Sequence, residues 1–143
     1  MQSCGVFFRN DSFYVVSESF TTYGIGVSVG PMFKVEMKRP REVGEAVVAA
    51  LNASRSGIPQ PENMSQVQKE LFRFIGARNW SDLAKSARYT AVRRNDSIVT
   101  VEPHQPGSGG AFVPEGAAMT CAGANVDDIG RGVLSALKLP EGT

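Results

Sequence analysis

The sequence predicts an α+β domain made of two similar halves around a mostly antiparallel sheet, with a helical segment inserted between the halves. Two repeated strings support this prediction. Residues 43–51 (VGEAVVAAL) and 129–137 (IGRGVLSAL) carry Gly, Val, Ala and Leu in the same places, 86 residues apart. Upstream, Arg-Asn-Asp-Ser occurs at 9–12 and again at 94–97. A turn string and a helix string that recur in the same order indicate two copies of one hairpin, strand and helix unit.

The repeated nine-residue string has the pattern of an amphipathic helix in both copies. Its large apolar residues follow i, i+4, i+5, i+8 spacing, which places them on one helical face. Each copy also has a glycine in its first turn, Gly44 and Gly130. Glycine inside a helix costs about 1 kcal/mol relative to alanine, so its recurrence predicts a close approach between the helix and a strand. We therefore expect Gly130→Leu to destabilise the fold by overpacking.

The elements of the first half follow from turn residues and alternation. Asn10 and Asp11 separate two apolar runs, 5–8 and 13–17, which predicts a β-hairpin. The polar and glycine-rich segment 19–30 is expected to be an exposed connection. Residues 32–37 alternate as a third strand with Phe33, Val35 and Met37 on one face, and Pro40 is placed to start the first helix.

The segment 58–88 has no counterpart in the second half and is predicted to be a helical insert. A helical stripe runs through Met64, Val67, Leu71, Phe74 and Ile75. Gly76 is a helix terminator, and Asn79 or Ser81 is a suitable cap for a second short helix. Trp80 is interpreted as an anchor to the core rather than as a binding residue.

The second half begins near Tyr89 with a hairpin around Asn95 and Asp96. The stretch 102–110 is expected to be a loop matching the first polar loop. A strand follows around 118–122, and Asn125 is predicted to cap the last helix. The sequence thus predicts a single domain over 1–143, with half-repeats of about 5–57 and 89–139 and an insert of about 58–88.

Composition narrows the classes of function. The 143 residues are 42% hydrophobic with a net charge of +1, and the charges are scattered. This distribution argues against direct nucleic-acid binding, which needs concentrated positive charge. No stretch resembles a membrane span or a signal peptide, so a cytosolic protein is expected. Cys4 and Cys121 are interpreted as buried thiols in a reducing compartment, rather than as a disulfide or a metal pair.

No motif in the chain predicts catalysis, a metal site or a cofactor. The sole histidine, His104, lies between two prolines and has no ligand partner at zinc spacing. The loop 107–110 lacks the lysine of a phosphate-binding P-loop. A binding surface formed by the two polar loops is therefore favoured over an active site. The alternative is a small-molecule-binding or catalytic domain that uses the Gly107 to Gly110 loop.

Several stretches resemble the immunity proteins of bacterial contact-dependent growth inhibition systems, the CdiI family. They are 13–16, 24–26, 43–51, 54–55, 71–76 with Trp80, 110–114 and 129–137. The resemblance covers most of the chain and rests mainly on packing and turn residues. It implies a small cytosolic protein without an enzymatic reaction, which binds and neutralises the toxic C-terminal domain of its cognate effector, usually a nuclease.

Residues that contact such a partner are expected in the polar loops, because inhibition by occlusion depends on a few buried anchors. The candidates are Glu18, Phe20, Tyr23, Glu102 and His104. A carboxylate among them could pair with basic groups of a nuclease. The rival surface is the exposed face of the insert, with Gln66, Lys69, Glu70 and Arg73. In isolation the protein is expected to be a monomer or a weak dimer.

Overall fold

The computed structural model describes residues 1–108, 111–123 and 125–140, and it confirms the predicted α+β class. The elements are β1 Gln2–Arg9, β2 Ser12–Thr21, β3 Gly26–Val27, β4 Met32–Val35, α1 Pro40–Ala53, β5 Ser56–Ile58, α2 Met64–Ile75, α3 Trp80–Ser86, β6 Arg88–Asn95, β7 Ile98–Pro106, β8 Phe112–Pro114, β9 Met119–Ala122 and α4 Val126–Ala136. The nine strands form a single curled, mostly antiparallel sheet in which the path β3-β2-β1-β6-β7-β8 is extended by β4 and β5 on β2 and by β9 on β7.

The two hairpins turn at residues with left-handed backbone conformations. Asn10 and Asp11 have φ of 50° and 64°, and Asp96 has φ of 55°. Asn and Asp tolerate this region better than other side chains, and two-residue turns of this kind match the twist of the paired strands. In the second hairpin the turn falls at residues 96–97. Asp96 therefore occupies the turn position that Asn10 has in the first hairpin, although the repeated string aligns Asn10 with Asn95.

Strand pairing recurs along the chain at a spacing of 86 residues. Gly5 pairs with Val16 between β1 and β2, and Ala91 pairs with Glu102 between β6 and β7. The pairing of β2 with β4 likewise recurs between β7 and β9. The two sets meet where β1 and β6 pair antiparallel, with Gly5 opposite Ala91. That the half-repeats of about 5–57 and 89–139 superpose by a rotation remains a prediction.

One face of the sheet is covered by α1 and α4. Their apolar faces pack with residues such as Cys4, Val6 and Phe13 from β1 and β2 and with Val99 and Val101 from β7. All five of these strand residues are buried. Burial raises the pKa of the Cys4 thiol well above its ordinary value, because an apolar interior disfavours the thiolate. This face is a closed core.

The two repeated glycines lie where α1 crosses α4, and the predicted partner of each was wrong. A Cβ on Gly44 would lie 2.8 Å from the carbonyl carbon of Val126 and closer still to its oxygen. A Cβ on Gly130 would lie 2.6 Å from Cα of Pro40 and again closer to the carbonyl oxygen. Each glycine thus lets its helix approach the first turn of the other helix, not a strand, and the two contacts mirror each other.

The opposite face is covered by the insert, which forms the two helices predicted for it. Leu71 and Ile75 of α2 and Leu83 of α3 pack with Phe7 and Tyr14 of the sheet. Asn63 caps α2 by accepting a hydrogen bond from the Gln66 N–H at 3.0 Å. Asn79 caps α3 in the same way, and Gly76 ends α2 with φ of 83°.

Three local expectations are corrected by the structure. The segment 19–30 is not simply exposed, because β2 runs on to Thr21, and Ser19, Thr21 and Val27 are buried. The strand β5, which was not predicted, pairs in parallel with the C-terminal end of β2. Residues 102–106 belong to β7 rather than to a loop. Met37 lies beyond the end of β4 and is exposed.

Candidate functional site

A cavity of about 460 Å³ lies between α2 and the sheet, on the face opposite α1 and α4. Its volume is within the range of binding sites for small molecules or inserted side chains. It is lined by Gly5, Phe7, Val16, Glu18, Gly26, Val27, Ser28, Met64, Val67, Gln68, Leu71, Trp80, Tyr89, Ala111 and Phe112. The first polar loop, the insert and the segment before β8 therefore all contribute to one site.

The floor of the cavity is formed by small residues and aromatic rings. Gly5 has no side chain, and the Tyr89 ring lies over it, so that a Cβ at position 5 would be 2.8 Å from Cε1 of Tyr89. The ring centroid of Tyr89 is 4.6 Å from that of Phe7 and 5.2 Å from that of Phe112. Burial, with a smaller contribution from the charge of Glu18, raises the pKa of the Tyr89 hydroxyl. The floor is thus apolar and holds a neutral phenol.

Glu18 is the acidic group of the cavity. The hydroxyl of Ser3, its cross-strand neighbour, donates a hydrogen bond to Oε1 at 2.8 Å. The other oxygen, Oε2, lies over Gly26, where a Cβ would be only 2.8 Å away. Among the described residues that line the cavity, Glu18 alone is charged. Two neighbours therefore fix the position of a half-buried carboxylate.

The insert supplies the opposite wall. Val67, Gln68 and Leu71 lie on the side of α2 that faces the cavity. Trp80 follows at the start of α3, and its ring packs edge-on against Phe72 with centroids 5.0 Å apart. Trp80 was expected to anchor the core, but 36% of its surface is exposed and it lines the cavity, so whether it anchors the fold or contacts a partner remains a prediction.

Of the five residues expected to contact a partner, only Glu18 lines this cavity. Phe20 is half-buried on β2, and Tyr23 is 80% exposed in the turn after it. Glu102 and His104 lie on β7, three strand spacings from β2, a separation of roughly 14 Å. The candidates on and after β2 therefore do not form one cluster with those on β7. Gly109 and Gly110 of the second polar loop lie outside the described residues.

His104 is positioned by its own strand and by Tyr89. Its Nδ1 lies 2.9 Å from the backbone oxygen of Glu102, and its Nε2 lies 3.6 Å from Oε1 of the same residue. The ring meets Tyr89 edge-on at 5.0 Å, and only 10% of the side chain is exposed. His104 stands 86 residues after Glu18, so the two occupy corresponding places in the repeated pairing pattern. Glu18 lines the cavity beside α2, whereas His104 packs edge-on against Tyr89 and lines a separate cavity of about 380 Å³.

The first polar loop and the insert, the two segments from which rival surfaces were expected, meet at this cavity. Gly26, Val27 and Ser28 of the first loop form one side, and α2 forms the other. The exposed residues first expected on the insert, Gln66, Lys69, Glu70 and Arg73, are not among the lining residues. Gln68, which does line the cavity, was missed because a polar residue next to an apolar stripe gives no signal in the sequence.

Two general features of the described part of the chain bear on chemistry. No group of three or more His, Cys, Asp or Glu side chains there is arranged to hold a metal ion. Within the same residues, no helix has the length and apolar character needed to cross a membrane.

Comparison with known proteins gives matches of structure only. No protein-family model matches the chain, and no curated protein matches it. Solved structures share its fold, and two of them illustrate the match. A protein of unknown function from Neisseria meningitidis superposes with a TM-score of 0.79 at 17% identity, over 96% of this chain and 93% of that one. A chain of the CdiA-CT/CdiI toxin and immunity complex from Yersinia pseudotuberculosis superposes with a TM-score of 0.77 at 16% identity, over 96% and 95%.

Proposed function

We propose that this chain is an immunity protein of a contact-dependent growth inhibition system, which binds and neutralises a cognate toxin domain in the cytosol. The toxin domain is proposed to be a nuclease. The observation that carries the proposal is a fold shared, along nearly the whole chain, with a member of a toxin and immunity complex. The stretches of sequence that resemble the CdiI family support the same function.

The cavity between α2 and the sheet is the proposed contact surface. It joins apolar walls to a single fixed carboxylate, and Trp80 stands partly exposed beside it. Protein interfaces draw most of their affinity from a few anchors in well-packed pockets, and tryptophan is frequent among them. Neutralisation in this way needs no reaction by the immunity protein.

The test is protection of cells together with direct binding. The gene for a growth inhibition effector is expected beside the gene for this chain, and its C-terminal domain is the probe. Cells that produce that domain should survive when this protein is co-produced, and the two purified proteins should form a stable complex. Death of the cells and no complex would reject the proposal.

A second candidate function is binding of a small molecule, which the volume of the cavity favours. A metabolite that binds the folded state would raise the melting temperature, and the rise would grow with the logarithm of its concentration once this exceeds the Kd. Stabilisation by a metabolite but not by the toxin domain would support this candidate. Mass measurement in solution separately tests the proposal that the isolated protein is a monomer or a weak dimer, and a stable dimer would be the contrary result.

A further inference from the structure

We propose that Glu18 binds a lysine or arginine side chain that the partner protein inserts into the cavity between α2 and the sheet. The inference rests on the proposed function, since it assigns the chemistry of the anchor that the toxin domain would present. It makes Glu18 the residue that selects a basic anchor.

The geometry of the carboxylate supports this assignment. Ser3 holds Oε1, and the space above Gly26 accommodates Oε2. Within the described residues, no lysine, arginine or histidine forms an ion pair with Glu18. A half-buried carboxylate that keeps an oxygen without a protein donor is a ready acceptor for a charged N–H group.

The basic residues nearest in the sheet do not neutralise it. Arg94 donates to Gln2 of β1 at 2.7 Å and to Asn52 of α1 at 2.7 Å, so its guanidinium is already engaged. Arg93 pairs with Ser3 across the strands, but its side chain is exposed and does not line the cavity. The charge of the cavity is therefore negative, which complements a cation.

The walls suit the rest of such a side chain. Lysine and arginine bury their hydrocarbon stems along apolar surface while the charged end keeps polar partners. Val67 and Leu71 offer apolar surface for the stem, and Tyr89 and Trp80 line the same cavity, where the face of an aromatic ring attracts a cation. An acidic side chain would meet Glu18 with the same charge and would be rejected.

The experiment measures binding of the purified toxin domain to the full-length protein and to Glu18→Gln. Glutamine keeps the shape of the side chain and its acceptor for Ser3, and it removes the charge. Loss of one partner of a buried ion pair typically weakens binding by roughly 30-fold to more than 1,000-fold. Glu36→Gln is the matched control, because Glu36 is exposed and paired with Lys34 at 3.5 Å. It should change the affinity by less than about twofold.

A charge exchange identifies the partner residue. Glu18→Lys should abolish binding, and replacing one lysine or arginine of the toxin domain by glutamate should restore it. If Glu18→Gln fails to fold, Gly26→Ala tests the position of the carboxylate instead of its charge, because an added Cβ would lie 2.8 Å from Oε2 and would force it to move. A folded Gly26→Ala protein with unchanged affinity would overturn the inference.

The possible results separate the two proposals. No complex with wild-type protein rejects the proposed function and the inference together. A tight complex that Glu18→Gln leaves unchanged rejects the inference alone. The melting temperature is also measured with free arginine and lysine amides. Stabilisation that depends on Glu18, without an effect of Glu18→Gln on toxin binding, would make the cavity a site for small cations and would overturn the inference.

Discussion

The two faces of the sheet are covered by helices in different ways. On one face α1 and α4 cross so closely that two glycines are required, and the contacts made by Gly44 and Gly130 mirror each other. On the other face α2 and α3 come from a segment that has no counterpart, and they leave a cavity beside Glu18. The repeated part of the chain thus builds a closed core, whereas the inserted part adds an open site.

The largest expected effect is on the closed face. Gly130→Ala places a methyl group inside the carbonyl group of Pro40, and Gly44→Ala does the same at Val126. Because backbone cannot move aside as a flexible side chain can, each change should lower the free energy of unfolding by about 2 to 4 kcal/mol. Denaturant midpoints give the measurement.

Gly132→Ala is the matched control within α4. Its Cβ would lie 3.5 Å from a methyl group of Val101, an ordinary contact. Removing a helical glycine there should leave stability unchanged or raise it by up to about 1 kcal/mol. Equal effects at Gly130 and Gly132 would show that the close crossing of the helices is not what requires glycine.

The next effect belongs to the open face. Gln68→Trp should fill the cavity and weaken toxin binding by at least about 100-fold, or about 2.7 kcal/mol, because the anchor can no longer enter. Gln68 is exposed, so the fold should remain stable. Lys69→Trp, one position along α2 and outside the cavity lining, should bind normally. Titration calorimetry compares the two variants, and similar affinities would remove the cavity from the interface.

Trp80→Ala should have a smaller effect on binding, of about 2 kcal/mol, as is usual for an aromatic anchor in an interface. The ring also packs on Phe72, so some loss of stability is expected. Comparing the loss of binding free energy with the loss of unfolding free energy separates contact with the partner from support of the fold. A loss confined to stability would return Trp80 to the structural role that the sequence first suggested.

The smallest expected effect is the pH dependence contributed by Asp82 in α3. The backbone N–H of Arg78 donates a hydrogen bond to Oδ2 of Asp82 at 2.9 Å. This bond, together with nearby positive charges, lowers the pKa of Asp82 below its ordinary value of 3.8. Because the pKa of Asp82 is lower in the folded state, its carboxylate stabilises the protein above pH 3.8. This stabilisation is lost as the pH falls further. Asp82→Asn should flatten this part of the stability profile, and an unchanged profile would contradict the assignment.

The sequence predicted the repeated part of the fold well, because each element there has a local signal. Turn residues mark the hairpins, Pro40 and Asn125 mark the helix starts, and the apolar spacing marks the buried faces. The prediction that the two glycines approach a strand was wrong for a physical reason. A close approach is visible in the sequence as a small residue, but the surface that approaches depends on the packing of distant elements.

The site was less predictable. Glu18 was found as an acidic residue near a polar loop, but its hydrogen bond to Ser3 and its place over Gly26 depend on strand register. The exposure of Trp80 was not foreseen, because an aromatic residue at the start of a helix serves equally well in a core or beside a cavity. Positions such as Gln68 become candidates only when α2 is placed against the sheet.

Hydrogen exchange of the free protein and of its complex with the toxin domain tests the central claim most directly. The amides of α2, of residues 26–28 and of 111–112 should exchange more slowly in the complex, because the partner covers the cavity between them. The amides of α1 and α4 should be slow in both states and should change little. New protection on the outer surfaces of α1 and α4, without any change in α2, would contradict the division between a closed core and an open site.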